Sequence, residues 1–250
     1  MEKIDIRGIP FDNVTMDEAA SLVEERLAAG QKTAVFTPNA EIVQAAIEDA
    51  AYLRTVNFAD VILPDGIGII KAAKILETPL KEKVPGVEFG ERLFSDLAKT
   101  NHTFFILGGK PGVAEDAAKN ISEKYGTRFA GCRDGYFGKS GAESDSVVAE
   151  INSSGADILY VCLGFPAQEK WLEANFSKLE NAKLALALGG SVDVWAGRVR
   201  RAPKLFIKLG VEWLWRLIRQ PSRLGRMMKL PKFYLGMKKY KKQLNKKQLS

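Results

Sequence analysis

Four short stretches, each closing an apolar run, hold the residues of this chain whose types and spacing could do chemistry. Pro64-Asp65-Gly66-Ile67-Gly68 sets a carboxylate after a strand-like run and before a helix-like one. An aspartate there either caps the helix or, in a partly dry setting that raises its proton affinity, acts as a general base. Thr37-Pro38-Asn39-Ala40-Glu41 offers a hydroxyl and an amide. Pro38 biases Thr37 toward extended backbone and Asn39 is a good N-cap, while the pair could equally hydrogen bond sugar hydroxyls or an acetamido group. Leu107-Gly108-Gly109-Lys110-Pro111-Gly112 leads into a helix whose free N–H groups, approached across glycines, suit a phosphate. It lacks the GxGxxG and Walker spacings, and a plain strand-to-helix turn is an equal reading. Leu163-Gly164-Phe165-Pro166-Ala167-Gln168-Glu169 sets two polar side chains in a first helical turn, facing whatever the strand edge binds; Glu169 could instead serve the helix dipole. A fifth loop, Gly135-Tyr136-Phe137-Gly138, could stack an aromatic ring on a base or sugar, or plug the core.

Other chemistries are missing. The single histidine, His102, has no nucleophile motif beside it. There is no CxxC, HExxH or Asp-x-Asp, so neither a metal site nor a resident cofactor is expected. The two cysteines, Cys132 and Cys162, read as reduced, buried thiols. The N-terminus shows no secretory signal, and no run approaches the ~20 apolar residues of a spanning helix.

These stretches need elements to position them. Apolar runs at 33–36, 61–63, 103–107, 128–131, 158–163 and 184–188 alternate with helix-period segments at 16–28, 41–52, 67–76, 87–98, 112–124, 143–152 and 168–179. That alternation predicts a Rossmann-like α/β fold with a mainly parallel sheet flanked by helices. Right-handed crossovers bring every strand's C-terminal end to one edge, where ligands of open α/β sheets bind. All the stretches above would then share that edge.

Charge divides the chain. Residues 198–250 carry 17 Lys and Arg against one acid, Glu212, whereas the rest carries 20 against 29 Asp and Glu. This predicts an α/β catalytic body over 1–197 and a basic amphipathic appendage over 198–250. The appendage opens with a helix expected over 204–219, apolar on most sides and ended by Pro221. Beyond it, Arg223, Arg226, Phe233, Leu235 and Met237 alternate with lysines. Basic residues mixed with large apolar ones suit an anionic membrane surface better than a nucleic-acid groove. A nucleic-acid-associated α/β protein is the alternative reading of the tail, and a nicotinamide-dependent oxidoreductase that of the body, the latter weakened by the absent GxGxxG.

Taken in order, Thr37-Pro38-Asn39-Ala40-Glu41, Pro64-Asp65-Gly66-Ile67-Gly68, Gly135-Tyr136-Phe137, Leu163 to Trp171, Gly189-Gly190-Ser191-Val192-Asp193, Gly197, Arg201-Ala202-Pro203, Glu212-Trp213, Arg216, Pro221, Arg223 and Arg226 resemble the WecG/TagA/CpsF glycosyltransferase family. The resemblance covers about residues 4–235. It implies an inverting transferase, peripheral on the cytoplasmic face of the cell membrane. Such an enzyme moves N-acetylmannosamine, or a related sugar, from a UDP donor to polyprenol-diphosphate-linked N-acetylglucosamine for teichoic acid or a related polymer. It implies Asp65 as general base with Thr37 and Asn39 beside it, and Tyr136, Gln168 and Asp193 near the donor. Gly108, Gly109, Gly164 and Gly190 complete the expected donor side. Lys83, Arg216, Arg223 and Arg226 are expected at the acceptor diphosphate and the membrane. The chain departs from the family at Lys83, where Arg is usual and the bidentate fork is lost, and at Ala167, where Lys is common. Partners are thus a UDP-sugar, a polyprenol-diphosphate acceptor and an anionic membrane, with a homo-oligomer allowed and no nucleic acid.

Overall fold

The computed structural model describes residues 1–199, 203, 206, 215 and 229–248. Six parallel strands form the central sheet: β3 (Thr33–Phe36), β4 (Val61–Ile62), β5 (Phe104–Gly108), β6 (Phe129–Arg133), β7 (Ile158–Cys162) and β8 (Leu184–Ala187), in the order β4-β3-β8-β7-β5-β6. Every residue of β3, β5, β7 and β8 is buried, which explains the unbroken apolar runs of the sequence.

Helices cover both faces. On one lie α2 (Ala40–Glu48), α3 (Ala50–Val56), α4 (Ile67–Ile75), α7 (Ala142–Ser154) and α8 (Ala167–Asn175), with Val43, Ala46, Ile69, Trp171 and Leu172 in one core cluster. On the other lie α1 (Met16–Ala28), α5 (Gly86–Leu97), α6 (Val113–Tyr125) and α9 (Ser191–Trp195), with Phe89, Phe94, Ala117, Val192 and Trp195 in a second cluster. The mainly parallel sheet flanked by helices is the architecture the alternating pattern implies.

Two local features differ from the sequence reading. The helix expected over 41–52 is two helices, because Asp49 adopts extended backbone and accepts from the N–H groups of Ala51 and Tyr52, starting α3 afresh. A β-hairpin also precedes α1: β1 (Lys3–Ile6) pairs antiparallel with β2 (Ile9–Asp12) through Arg7 and Gly8, at φ 62° and 86°. Asp12 pins the hairpin beside β4, its Oδ2 accepting from Ile62 N–H at 2.8 Å and from Lys3 Nζ at 3.1 Å.

The chain's last described element, α10 (Lys229–Gln248), packs on the body. Phe233 and Met237 are fully buried in the first core cluster, against the face formed by α2 and α4. Lys232 pairs with Glu48 and Lys241 with Glu77, while Arg7 lies 4.4 Å from the Tyr240 ring centre. These two apolar residues of the tail are therefore turned to the protein. Leu235, Lys238, Lys239, Lys242 and Leu244 face outward. Of the helix expected over 204–219 only Phe206 and Trp215 are described; Arg216, Pro221, Arg223 and Arg226 lie outside the described residues. Among the described residues no helix is long and apolar enough to cross a membrane.

Candidate active site

The C-terminal edge of the sheet gathers the predicted stretches. The helices after β3 and β7 go to one face, and those after β5 and β8 to the other, so the turns between them splay apart as ligand clefts of open α/β sheets do.

At the end of β3, Thr37 is buried and its hydroxyl donates to Ala187 O on β8 at 3.3 Å. Asn39 caps α2, its Oδ1 accepting from Glu41 N–H at 2.9 Å and Ile42 N–H at 3.2 Å. The amide oxygen is thus committed to the backbone, and the Nδ2 hydrogens are what Asn39 can offer a ligand. Two substitutions separate these roles. Asn39→Ala is expected to lose the cap, about 1 kcal/mol in chemical denaturation, together with any ligand contact. Asn39→Asp keeps an equivalent cap yet replaces the donor with an acceptor, so stability should hold while turnover falls about 10-fold or more, the scale of one hydrogen bond to a ligand.

At the end of β4, the N-cap of α4 falls on Gly66, at φ 83° and ψ 161°, rather than on Asp65. Asp65 itself is half-buried. Val84 N–H donates to Pro64 O at 2.8 Å, which lays the 83–86 segment beside Asp65. Lys83, also half-buried, is thereby its neighbour. The same segment starts α5, with Pro85 at the N-cap and Gly86 against Thr37. A Cβ on Gly86 would sit 2.7 Å from Thr37 Oγ1, so only glycine permits this approach. The Thr37 hydroxyl thus meets the start of the 12-residue helix α5, and the backbone bond from Val84 to Pro64 brings the Lys83 and Asp65 positions alongside. Sequence reasoning missed the part played by α5; the Pro85-Gly86 pair at its start was the available signal.

The turns of β7 and β8 are tied together from below. Gln168 is only 4% exposed: its Oε1 accepts from Gly189 N–H at 2.8 Å and its Nε2 donates to Glu169 Oε1 at 2.9 Å. Both side chains were expected to face the open edge, and both are buried beneath it. Gly164 O accepts from Gln168 N–H at 2.9 Å. Beyond Gly189, Gly190 is exposed and Asp193 half-buried in α9.

On the far side, Gly108 reads as a packing residue. At φ 139°, a Cβ there would meet Cys162 O at 2.3 Å. Gly109 O accepts from Gly135 N–H at 2.8 Å, fixing the loop after β6. The loop's two aromatics divide: Tyr136 is 69% exposed, whereas Phe137 sits edge-on to Trp171. Lys139 Nζ donates to Gly135 O at 2.7 Å and lies 3.7 Å from the Phe137 ring centre, which holds Tyr136 outward. Five inter-strand steps, about 24 Å, separate β4 from β6. The loop after β6 reaches back toward β5 and β7, where a Cβ on Gly135 would lie 3.4 Å from Gly108 Cα and 3.1 Å from Leu163 Cδ2, so Tyr136 borders the edge from the side opposite Asp65.

The tail is anchored near this edge on both faces. Arg198 pairs with Asp116 in the first turns of α6, and Val199 N–H donates to Asp193 O at 3.0 Å. Across the sheet, Tyr234 of α10 lies where the starts of α2 and α4 meet: a Cβ on Gly68 would be 2.8 Å from Ala40 Cβ and 3.7 Å from Tyr234 Oη.

Residues 4–247 match the family described as Glycosyl transferase WecG/TagA/CpsF family. An N-acetylglucosaminyldiphosphoundecaprenol N-acetyl-beta-D-mannosaminyltransferase of Staphylococcus aureus strain MRSA252 is 34% identical over 247 residues, spanning 98% of this chain and 95% of that protein. The proteins of the same name from strains MW2 and NCTC 8325 / PS 47 are each 33% identical over the same spans. These comparisons lend no support to a nucleic-acid-associated protein.

Proposed function

The chain belongs to the WecG/TagA/CpsF glycosyl transferase family, and from that premise we propose that it transfers N-acetylmannosamine from a UDP-sugar to N-acetylglucosamine carried on undecaprenyl diphosphate. The reaction makes a linkage disaccharide of the kind teichoic acids require. The observation that carries the reading is the meeting of Asp65, Thr37, Lys83 and the α5 N-terminus at one strand edge.

In the step we assign, an acceptor hydroxyl attacks the anomeric carbon while the bond from that carbon to the UDP oxygen breaks. Asp65 takes the hydroxyl proton and UDP leaves with the bonding electrons. Thr37 and Asn39 orient the reacting sugar, Asn39 through its Nδ2 hydrogens. Tyr136, exposed at the other end of the edge, suits the flat face of uracil. The departing diphosphate needs positive charge. Lys83 and the α5 N-terminus supply part of it, and Arg216, Arg223 and Arg226 the rest. What supports the arginines is tethering. Val199 sits at the edge on one face of the sheet, and the first turns of α10 approach it on the other. Arg226, three residues before Lys229, has its Cα within about 11 Å of that residue's Cα by chain length alone.

The outward side of α10, with Lys238, Lys239 and Lys242 around Leu235, suits an anionic leaflet. A peripheral position on the cytoplasmic membrane face follows, with residues 198–250 as the membrane-facing appendage. The test is turnover of a panel of UDP-sugars by the full chain, with a short-chain lipid-diphosphate N-acetylglucosamine as acceptor. UDP-N-acetylmannosamine should give a disaccharide-diphosphate lipid fastest; no lipid-linked product from any donor refutes the assignment.

A further inference from the structure

One buried carboxyl has no part in the step above. Glu169, in the first turn of α8, is 2% exposed. Its Oε1 accepts from Gln168 Nε2, and Gln168 Oε1 in turn accepts from Gly189 N–H. On the other side, the fully buried Tyr52 of α3 turns its hydroxyl toward the Glu169 carboxyl, and burial together with that carboxylate raises the phenol's pKa. As placed, neither the Tyr52 hydroxyl nor Glu169 Oε2 completes a hydrogen bond of ordinary geometry. Burial raises the carboxyl's own pKa, against which the Gln168 and Tyr52 contacts act.

The logic of this relay lies in Gln168. A side-chain amide has one accepting and one donating end, and it can turn over. Only with its oxygen toward Gly189 does it satisfy the backbone N–H there; reversed, it would set a donor against a donor. An acceptor fixed at its nitrogen end is what selects the useful orientation, and Glu169 Oε1 is that acceptor. Gly189, at φ 53°, opens the turn that carries the exposed Gly190 and leads into α9 and Asp193. That turn lies next to Thr37, since β8 and β3 are paired as neighbours and Thr37 bonds Ala187.

We propose that Glu169 is a positioning residue for the donor: by fixing the Gln168 amide it holds the Gly189–Gly190 turn in the shape that receives the UDP-sugar. The inference rests on the transferase reading above. Glu169 touches no substrate. Its effect is expected on donor binding more than on the chemical step.

The experiment compares the full-length wild type with Glu169→Gln and Glu169→Met, using UDP-N-acetylmannosamine and the short-chain lipid acceptor. Inactive wild type would refute the transferase reading itself, separately from this proposal. With active wild type, Glu169→Gln keeps an oxygen facing Gln168 and should stay within about 3-fold in kcat/KM. Glu169→Met matches the volume but cannot accept; KM for the donor should rise about 10-fold or more while kcat changes less than about 3-fold, the loss of one hydrogen-bonded orientation. Amide exchange at Gly189 should speed up in Glu169→Met while the amides of β8 keep their protection. Where Glu169→Met folds poorly, Glu169→Asp, which draws the carboxylate back by one methylene, should show the same rise in donor KM. An unchanged donor KM and unchanged Gly189 exchange in a folded variant overturn the proposal. So does an equal loss in Glu169→Gln, since glutamine keeps both the shape and an accepting oxygen, and the loss would then follow from the missing charge rather than from a missing acceptor.

Discussion

Replacing Asp65 with asparagine should lower kcat by a factor of about 10²–10⁴ and leave UDP-sugar binding within a few-fold, the signature of a lost general base. The expectation follows from where Asp65 sits. It is half-buried, in the turn after β4, and the α4 N-cap falls on Gly66, so the substitution removes a proton acceptor without removing that helix start. Asparagine has nearly the same shape and can still accept a hydrogen bond, but it cannot hold the acceptor's proton at neutral pH. Thermal unfolding should shift little, and titration with UDP should report an intact donor site. Turnover within 3-fold of wild type would remove Asp65 from this role.

The second large effect concerns charge. Changing Arg216, Arg223 and Arg226 together to glutamine should reduce turnover at least about 10³-fold, since one preorganised donor to a developing negative charge already contributes about 10²–10³. Breaking the bond to UDP moves negative charge onto a diphosphate oxygen. Among described residues near Asp65, Lys83 is the one cationic side chain the 83–86 segment brings there, and it lacks the planar fork of arginine. Variants in which only Arg223 and Arg226 become lysine should recover part of the rate, because charge returns without bidentate geometry. Vesicle flotation in parallel separates lost membrane attachment from lost chemistry. If the triple glutamine variant floats as wild type and still turns over normally, diphosphate stabilisation lies elsewhere. Deleting everything after Gly197 would be a weaker test. It would also remove Phe233 and Met237 from the core and uncover α2 and α4, so lost activity could not be assigned to lost charge.

What the sequence made legible follows physical lines. Strands buried on both faces announce themselves as apolar runs, and each of the six runs holds a strand of the central sheet to within two residues at either end. Their C-terminal turns followed from parallel topology, so Thr37, Asn39, Asp65, Gly108, Gly164 and Gly189 share the edge. The hairpin went unread because four-residue strands around Arg7-Gly8 leave too short an alternation. The split at Asp49 went unread because its cap competes with an otherwise continuous helical period. More telling are the residues whose types were noticed and whose surroundings were not. Gln168 and Glu169 look like ligand-facing polar groups in a first helical turn; only the third dimension sets them under the edge, joined to Gly189. Gly108 looks like a phosphate cradle, and its contact with Cys162 shows a packing need. Phe233 and Met237 read as part of a membrane-facing mixture, yet spacing by four residues also makes one stripe of a helix, and that stripe is buried on the body.

The central claim is a direct displacement at the anomeric carbon with Asp65 taking the acceptor's proton. Its most direct test is the anomeric configuration of the sugar joined to the lipid-linked N-acetylglucosamine, read by NMR on product made by the full-length protein from UDP-α-N-acetylmannosamine. The account predicts a β-linked disaccharide and one UDP released per linkage formed. An α-linked product, or UDP release without a matching lipid-linked disaccharide, would contradict it.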